Sequence, residues 1–399
     1  MATSTANPYR PGVGLQPTFL AGRDPDIQDF MKIIGGSPSI PANVRITGLR
    51  GVGKTVLLQK LQETSNESGW ATISIELEPR HNSDEALYNL VSGKGDSLRS
   101  NLSRIKRLKD RLSAAGKVAR QAATVTYEGF TWSLAGDLDS RSRELAEDLL
   151  LTTELAASKG RSGLILFFDE AQVLVDSKDA RGDHALSSLI AAVSTLQKQR
   201  VPICLVLCGL PTLAVNLLKA RTYSERMFRG MNVGELAPAD AAKALTKPLE
   251  GTALTADKEF VKRVVRDVDG YPYFIQLWGA EMWDSAVEVQ TSEFSNDLLD
   301  GIEDRIQDRL DIDFYAPRVE ALTPAEQDVL MATAECPYPP LRVSDLNQVS
   351  EKSTGNVNVL LGRLVSNNVL YRPRKGEYRY TAPKFRDYLI RRRDSEILS

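Results

Sequence analysis

The sequence predicts an α/β fold, a parallel sheet sandwiched by helices, followed by an all-α segment and a C-terminal winged helix-turn-helix. Three observations carry this. Short apolar β-like runs alternate with helical ones between residues 43 and 238, the pattern of a parallel sheet covered by helices. From 239 to 315 the pattern is helical. From 318 to 399 a helix, a turn, a second helix and two short β runs follow one another. With 399 residues, 42% hydrophobic and 26% charged, the chain has room for two or three domains and enough apolar residues to bury their cores.

Residues 1–42 form a lead-in with Pro and Gly and one short amphipathic pattern from Asp26 to Ile34. The strand candidates are Val44 to Thr47, Ala71 to Leu77, Leu164 to Phe168, Ile203 to Leu207 and Met231 to Leu236. Leu186, Leu189, Ile190 and Val193 fall at i, i+3, i+4 and i+7, the stripe of a helix packed on a sheet. A basic insertion at about 99–135 interrupts the alternation. Arg99, Arg104, Lys106, Arg107, Lys109, Arg111, Lys117 and Arg120 stand there against only Asp110. Such a run reads first as a solvated helix face and second as a nucleic-acid contact. Thr124 to Leu134 alternates β-branched and aromatic residues, which predicts a hairpin or edge strand.

Cys204, Cys208 and Cys336 cannot build a disulfide framework, and His81 and His184 lack partners at ligand spacing. No stretch is apolar for long enough to cross a bilayer, so no membrane partner is expected. Met1 to Gln16 does not read as a secretory signal. The expected location is the cytoplasm.

Gly48, Gly51, Gly53, Lys54 and Thr55 fit G-x-x-x-x-G-K-[ST], directly after Val44 to Thr47 and before the helical run Val56, Leu57, Leu58 and Leu61. Glycines let backbone N–H groups close on phosphates, the lysine meets the β and γ oxygens, and the hydroxyl binds magnesium. Val52 and Val56 are counted with the nucleotide-binding residues. The fold class is therefore an α/β P-loop NTPase, with ATP and Mg²⁺ as its cofactors. Leu164 to Phe168 runs straight into Asp169 and Glu170. A buried strand ending in adjacent acids places Asp169 at the metal and Glu170 as catalytic base for the attacking water. The competing reading is an acidic pair capping a helix.

These residues resemble the AAA+ ATPases, and among them the origin-recognition-like branch and the related STAND ATPases. The resemblance rests on Gly22-Arg23-Asp24, the phosphate loop, Asp169-Glu170-Ala171-Gln172, Ser224-Glu225-Arg226, Gly270-Tyr271-Pro272 and the C-terminal winged-helix pattern. It implies a homo-oligomer in which Arg226 reaches a neighbouring subunit's γ-phosphate, with Arg229 as the rival and a plain surface arginine as the alternative. Hydrolysis would then depend on assembly. Two features depart from the pattern. Cys208, Gly209, Leu210 and Pro211 follow the strand Ile203 to Leu207, where AAA+ enzymes usually carry a polar residue that positions the water, and Thr212 is the only nearby substitute. The helical segment has no evident nucleotide-contacting arginine. Gly270-Tyr271-Pro272 looks instead like the Gly-x-Pro of STAND ATPases, which implies that Pro272 packs on the adenine and couples the helical lid to nucleotide state with slow turnover.

Thr323, Pro324 and Glu326 make a capping box with proline at the first helical position. A second helix from Ser353 to Val365 puts Val357, Leu360, Leu361 and Leu364 on one face. Val369 to Tyr371 and Tyr378 to Thr381 flank a turn with Arg374, Lys375 and Gly376, a two-stranded wing. Asn356, Asn358, Arg363, Arg372, Arg374, Lys375 and Arg379 are the candidate contacts to double-stranded DNA. The alternative for this module is a protein partner. The expected function is an ATPase controlling assembly on DNA, or else a nucleotide-gated signalling switch whose winged helix docks protein or shuts the ATPase. A metabolic kinase would need an acceptor pocket that no motif supplies.

Overall fold

The computed structural model describes residues 6–12, 14–110, 125–127, 130–132, 138–179 and 182–398. Arg111, Lys117 and Arg120 of the basic insertion lie outside them. The chain groups into two units. One holds Arg23–Gly48 and Lys54–Val233; the other holds Met1–Gly22, Leu49–Gly53 and Gly234–Ser399.

The first unit runs α1 (Asp24–Gly35), β1 (Asn43–Thr47), α2 (Lys54–Glu67), β2 (Ala71–Glu76), α3 (Asp84–Asp110), β3 (Val125–Tyr127), β4 (Phe130–Trp132), α4 (Ser140–Ser158), β5 (Leu164–Asp169), α5 (Ala185–Lys198), β6 (Ile203–Gly209), α6 (Thr212–Ala220), α7 (Ser224–Met227) and β7 (Phe228–Asn232). Five strands form one sheet in the order β2-β5-β6-β1-β7, all parallel. Every residue of β5 and β6 is buried, as a sheet covered on both faces demands. Leu164, Leu166 and Phe168 of β5 join one core with Leu149 and Leu189 from α4 and α5. Phe167, pointing the other way, meets Phe30 of α1 at a ring separation of 6.0 Å. The expected hairpin is β3 with β4, Val125 opposite Trp132.

Two expectations for this unit change. The last strand is Phe228–Asn232 rather than Met231 to Leu236. Its residues pair with Asn43–Thr47, the Val233 N–H donates to the Thr47 carbonyl (2.8 Å), and the apolar residues beyond belong to the other unit. Arg99 also leaves the proposed solvated face: it pairs with Asp96 (2.7 Å) and with Asp148 of α4 (2.9 Å).

The second unit runs α8 (Pro238–Thr246), β8 (Thr255–Ala256), α9 (Lys258–Val268), α10 (Pro272–Glu288), β9 (Glu293–Phe294), α11 (Asn296–Asp300), α12 (Glu303–Leu310), a π turn (Asp311–Tyr315) and α13 (Ala316–Glu320). It continues through α14 (Pro324–Thr333), β10 (Leu341–Arg342), α15 (Val343–Val349), α16 (Thr354–Ser366), β11 (Leu370–Arg374), β12 (Glu377–Tyr380) and α17 (Phe385–Leu398). The segment 239–311 is not helical throughout, because β8 and β9 form a two-residue parallel ladder. Phe294 on that ladder is buried edge-on to Phe260 of α9, ring centres 5.8 Å apart. The lead-in is anchored here. The Tyr9 hydroxyl donates to the Leu245 carbonyl, and the Arg10 N–H donates to Gln276 Oε1 (3.0 Å). Gly279 of α10 makes room for that tyrosine, since a Cβ there would lie 2.3 Å from the ring.

The winged helix has the expected order with one addition. The Thr323 N–H donates to Glu326 (2.9 Å) in the capping box, and Val357, Leu360, Leu361 and Leu364 are buried. The wing is three-stranded, β10-β12-β11, instead of two-stranded. Leu341 and Arg342 supply the third strand by pairing with Tyr378 and Glu377. Pro373 lies where the β11 register shifts between Tyr371 and Arg374, as expected for a residue with no N–H to give the ladder. Gly376 turns the wing at φ +81°.

Candidate nucleotide site

β1 is flanked by β6 and β7 and ends at Thr47, where the chain leaves the sheet into the loop 48–53. The Gly48 N–H donates to the Gly209 carbonyl at the end of β6 (3.3 Å). Gly51 and Gly53 have φ of +80° and +86°, conformations in which a side chain is strained. They turn the loop into α2, whose first residues are Lys54 and Thr55. Lys54 is only 8% exposed.

β5 delivers Asp169, 7% exposed, beside Glu170. Asp169 accepts the Glu170 N–H (2.8 Å), and Glu170 sits in the left-handed region at φ 53°. Cys208 ties these groups together. Burial first, then the adjoining Asp169 carboxylate, hold its thiol well above the ordinary value, while the Lys54 charge acts in the opposite direction. Cys208 therefore stays a neutral thiol. Buried Lys54, opening the helix that follows β1, and buried Asp169, ending β5, lie on either side of β6 and fit a triphosphate with its divalent ion. Thr55 and Asp169 are the residues able to hold Mg²⁺.

Within the second unit, loop residues 49–53 meet the start of α10. The Tyr273 N–H donates to the Gly51 carbonyl (3.3 Å), and a Cβ on Gly53 would stand 4.0 Å from Pro272 Cγ. Pro272 is the first residue of α10, where its missing N–H costs nothing. Tyr273 stacks on Phe314 (5.3 Å), and the Arg318 guanidinium lies over the Phe314 ring, 4.1 Å from its centre. Burial first, then the charge of Arg50, push Arg318 down to about 10. Among the described residues neither Arg50 nor Arg318 makes an ion pair.

The AAA ATPase domain family matches residues 20–206, a span that contains the phosphate loop, Asp169 and Glu170. Residues 20–206 are thus similar to an AAA ATPase domain. Residues 313–389 match a domain of unknown function, DUF8462, which takes in Arg318 and the wing. The Walker-type ATPase PABY2304 of Pyrococcus abyssi has the same fold, with 18% identity, a TM-score of 0.54, and coverage of 96% of this chain and 98% of that one. So has the ORC2 protein of Aeropyrum pernix solved with ADPNP and ADP, with 13% identity, a TM-score of 0.55, and coverage of 97% and 98%. No curated protein matches in sequence.

Three side chains escaped the sequence reading. Arg50 and Arg318, both of the second unit, are two of them, and no motif marks Arg318 because it follows the helical segment. Gln172 is the third: its carboxamide donates to Glu170 and accepts the Leu210 N–H (2.9 Å). The polar group touching Glu170 thus comes from the DEAQ run, not from Thr212, which opens α6. Arg226 is exposed on α7 and Arg229 exposed on β7, so the two candidates stand on different elements. Of the candidate DNA contacts, Asn358 donates to its own helix at Thr354 (2.9 Å). Arg372 leans toward the Tyr378 ring at 5.8 Å. Arg374, Lys375 and Arg379 are exposed at the wing. Asn356 and Arg363 are exposed on α16.

Proposed function

We propose that the chain binds ATP and Mg²⁺ at residues 48–56 with Asp169, hydrolyses ATP on assembly into a homo-oligomer, and engages double-stranded DNA through its winged helix, within the cytoplasm. The observation that carries this is that buried Lys54, opening the helix after β1, and buried Asp169, ending β5, stand at the same end of the parallel sheet on either side of β6.

Lys54 neutralises β and γ oxygens of the nucleotide. Thr55 and Asp169 would hold Mg²⁺, which would supply positive charge at the phosphate oxygens. Glu170 accepts the proton of a water whose oxygen bonds to the γ-phosphorus as the bond from that phosphorus to the β–γ bridging oxygen breaks, releasing ADP and phosphate. Arg226 of a neighbouring copy stabilises charge as it develops. On this reading 43–238 is the ATPase core, 239–315 the lid and 318–399 the DNA-binding module. Exposed Arg372, Arg374, Lys375 and Arg379 anchor backbone phosphates, while Asn356, Asn358 and Arg363 face base edges.

A second reading, a nucleotide-gated switch whose winged helix holds a protein partner, is favoured by the hydrogen bond from Tyr273 to Gly51, beside Pro272. A gel shift on duplex DNA, with and without ATP and at two salt concentrations, separates the two. Salt-sensitive retardation that changes with ATP supports the DNA reading; no retardation in low salt removes it. Among the described residues no helix is long and apolar enough to cross a membrane.

A further inference from the structure

The end of β6 offers no polar side chain that would orient a catalytic water, for Cys208 is wholly buried and Gly209 has no side chain. The gap is filled from the turn that follows the neighbouring strand β5. We propose that Gln172 is the positioning residue for Glu170, holding one of its carboxylate oxygens so that the other faces the water. This rests on the ATPase reading above.

The geometry leaves the carboxamide a single orientation. A main-chain N–H can only donate, so Leu210 fixes Gln172 Oε1 toward β6 (2.9 Å). The amide nitrogen must then face Glu170, and it donates to Oε2. No described group is bonded to Glu170 Oε1. The turn that carries Gln172 is itself held, because Asn216 of α6 donates to the carbonyls of Gln172 (3.0 Å) and Leu174 (3.2 Å). Gly209 is part of the arrangement: a Cβ there would sit 2.3 Å from Gln172 Oε1. Main-chain atoms of β6 and a side chain of α6 thus fix the carboxamide that grips the base. Glu170, in a left-handed conformation that costs energy for a non-glycine residue, would otherwise have freely rotating side-chain torsions.

The test is steady-state ATP turnover of the full chain with duplex DNA present, alongside direct ATP binding. Gln172→Ala is expected to lower kcat about 10- to 100-fold, the cost of a misplaced reacting group, with KM, ATP affinity and melting temperature unchanged. Gln172→Glu keeps the volume and the acceptor for Leu210 but turns a carboxylate toward Glu170, so its kcat falls at least as far. In a Glu170→Gln background, Gln172→Ala should cost nothing further, since the two act as a unit. Unchanged or faster turnover of Gln172→Ala, an equal loss in the Glu170→Gln background, or a loss confined to affinity or melting temperature overturns the proposal. A wild-type chain that binds no ATP removes the nucleotide site itself, a result distinct from an ATP-binding chain indifferent to Gln172.

Discussion

The phosphate loop and the wing both concentrate charge, and they do so in opposite ways. At the loop, Lys54 and Asp169 are almost wholly buried. Burying an ammonium and a carboxylate is costly unless each finds a partner, so the sequence there is tightly constrained: glycines where φ is positive, a lysine, a hydroxyl, an acid at a strand end. At the wing, Arg372, Arg374, Lys375 and Arg379 are exposed and make no ion pair among the described residues. Their neighbours on α17 differ. Arg391 pairs with Asp311 (2.7 Å), and Arg393 pairs with Glu335 (3.7 Å) and Asp394 (3.2 Å). Exposed cations cost nothing to leave unpaired, and they define the sign of a partner more closely than its identity.

The largest effect should come from the loop side. Glu170→Gln removes the base while keeping volume and is expected to lower kcat about 10²- to 10⁴-fold, with ATP affinity retained, as read by turnover and calorimetry. Retained turnover would show that the buried constellation is not the catalytic one. Reversing the wing, with Arg374→Glu and Lys375→Glu together, should weaken duplex DNA binding about 10- to 100-fold in low salt and flatten its salt dependence by roughly two counter-ions. ATP turnover without DNA should not change, and a drop there would blur the distinction drawn between the two regions.

The smallest effect concerns Glu154 of α4, a buried carboxylate whose Oε1 has no partner. Burial pushes it up from 4.5 to about 7. The folded chain therefore binds this proton more tightly than the unfolded chain between those values, so its share of stability is present below pH 4.5 and lost as pH rises through 7. Glu154→Gln should raise the melting temperature by a few degrees at pH 8 and leave it unchanged at pH 4. Equal shifts at both values would rule out the titration.

The sheet was legible because buried parallel strands read as apolar runs, and α14 because Thr323-Pro324-Glu326 states its own start. The phosphate loop and the Asp169-Glu170 strand end were legible for the same reason that they are buried: few residues satisfy those positions. The β8–β9 ladder and β10 were not, since two residues carry no periodicity. The final strand was misplaced because the apolar run 231–236 serves two units, Met231 pairing with β1 and the Leu236 N–H with the Gly270 carbonyl (2.8 Å). Gln172 and Arg318 are placed by tertiary contacts with Leu210 and Phe314, which no local pattern encodes.

The most direct test is calorimetric titration of the full chain with ATP and Mg²⁺, wild type against Lys54→Ala. A one-site binding isotherm that Lys54→Ala abolishes or weakens at least 100-fold is the predicted result. No heat with the wild type, or identical isotherms for the two proteins, would contradict the assignment of residues 48–55 as a nucleotide cradle.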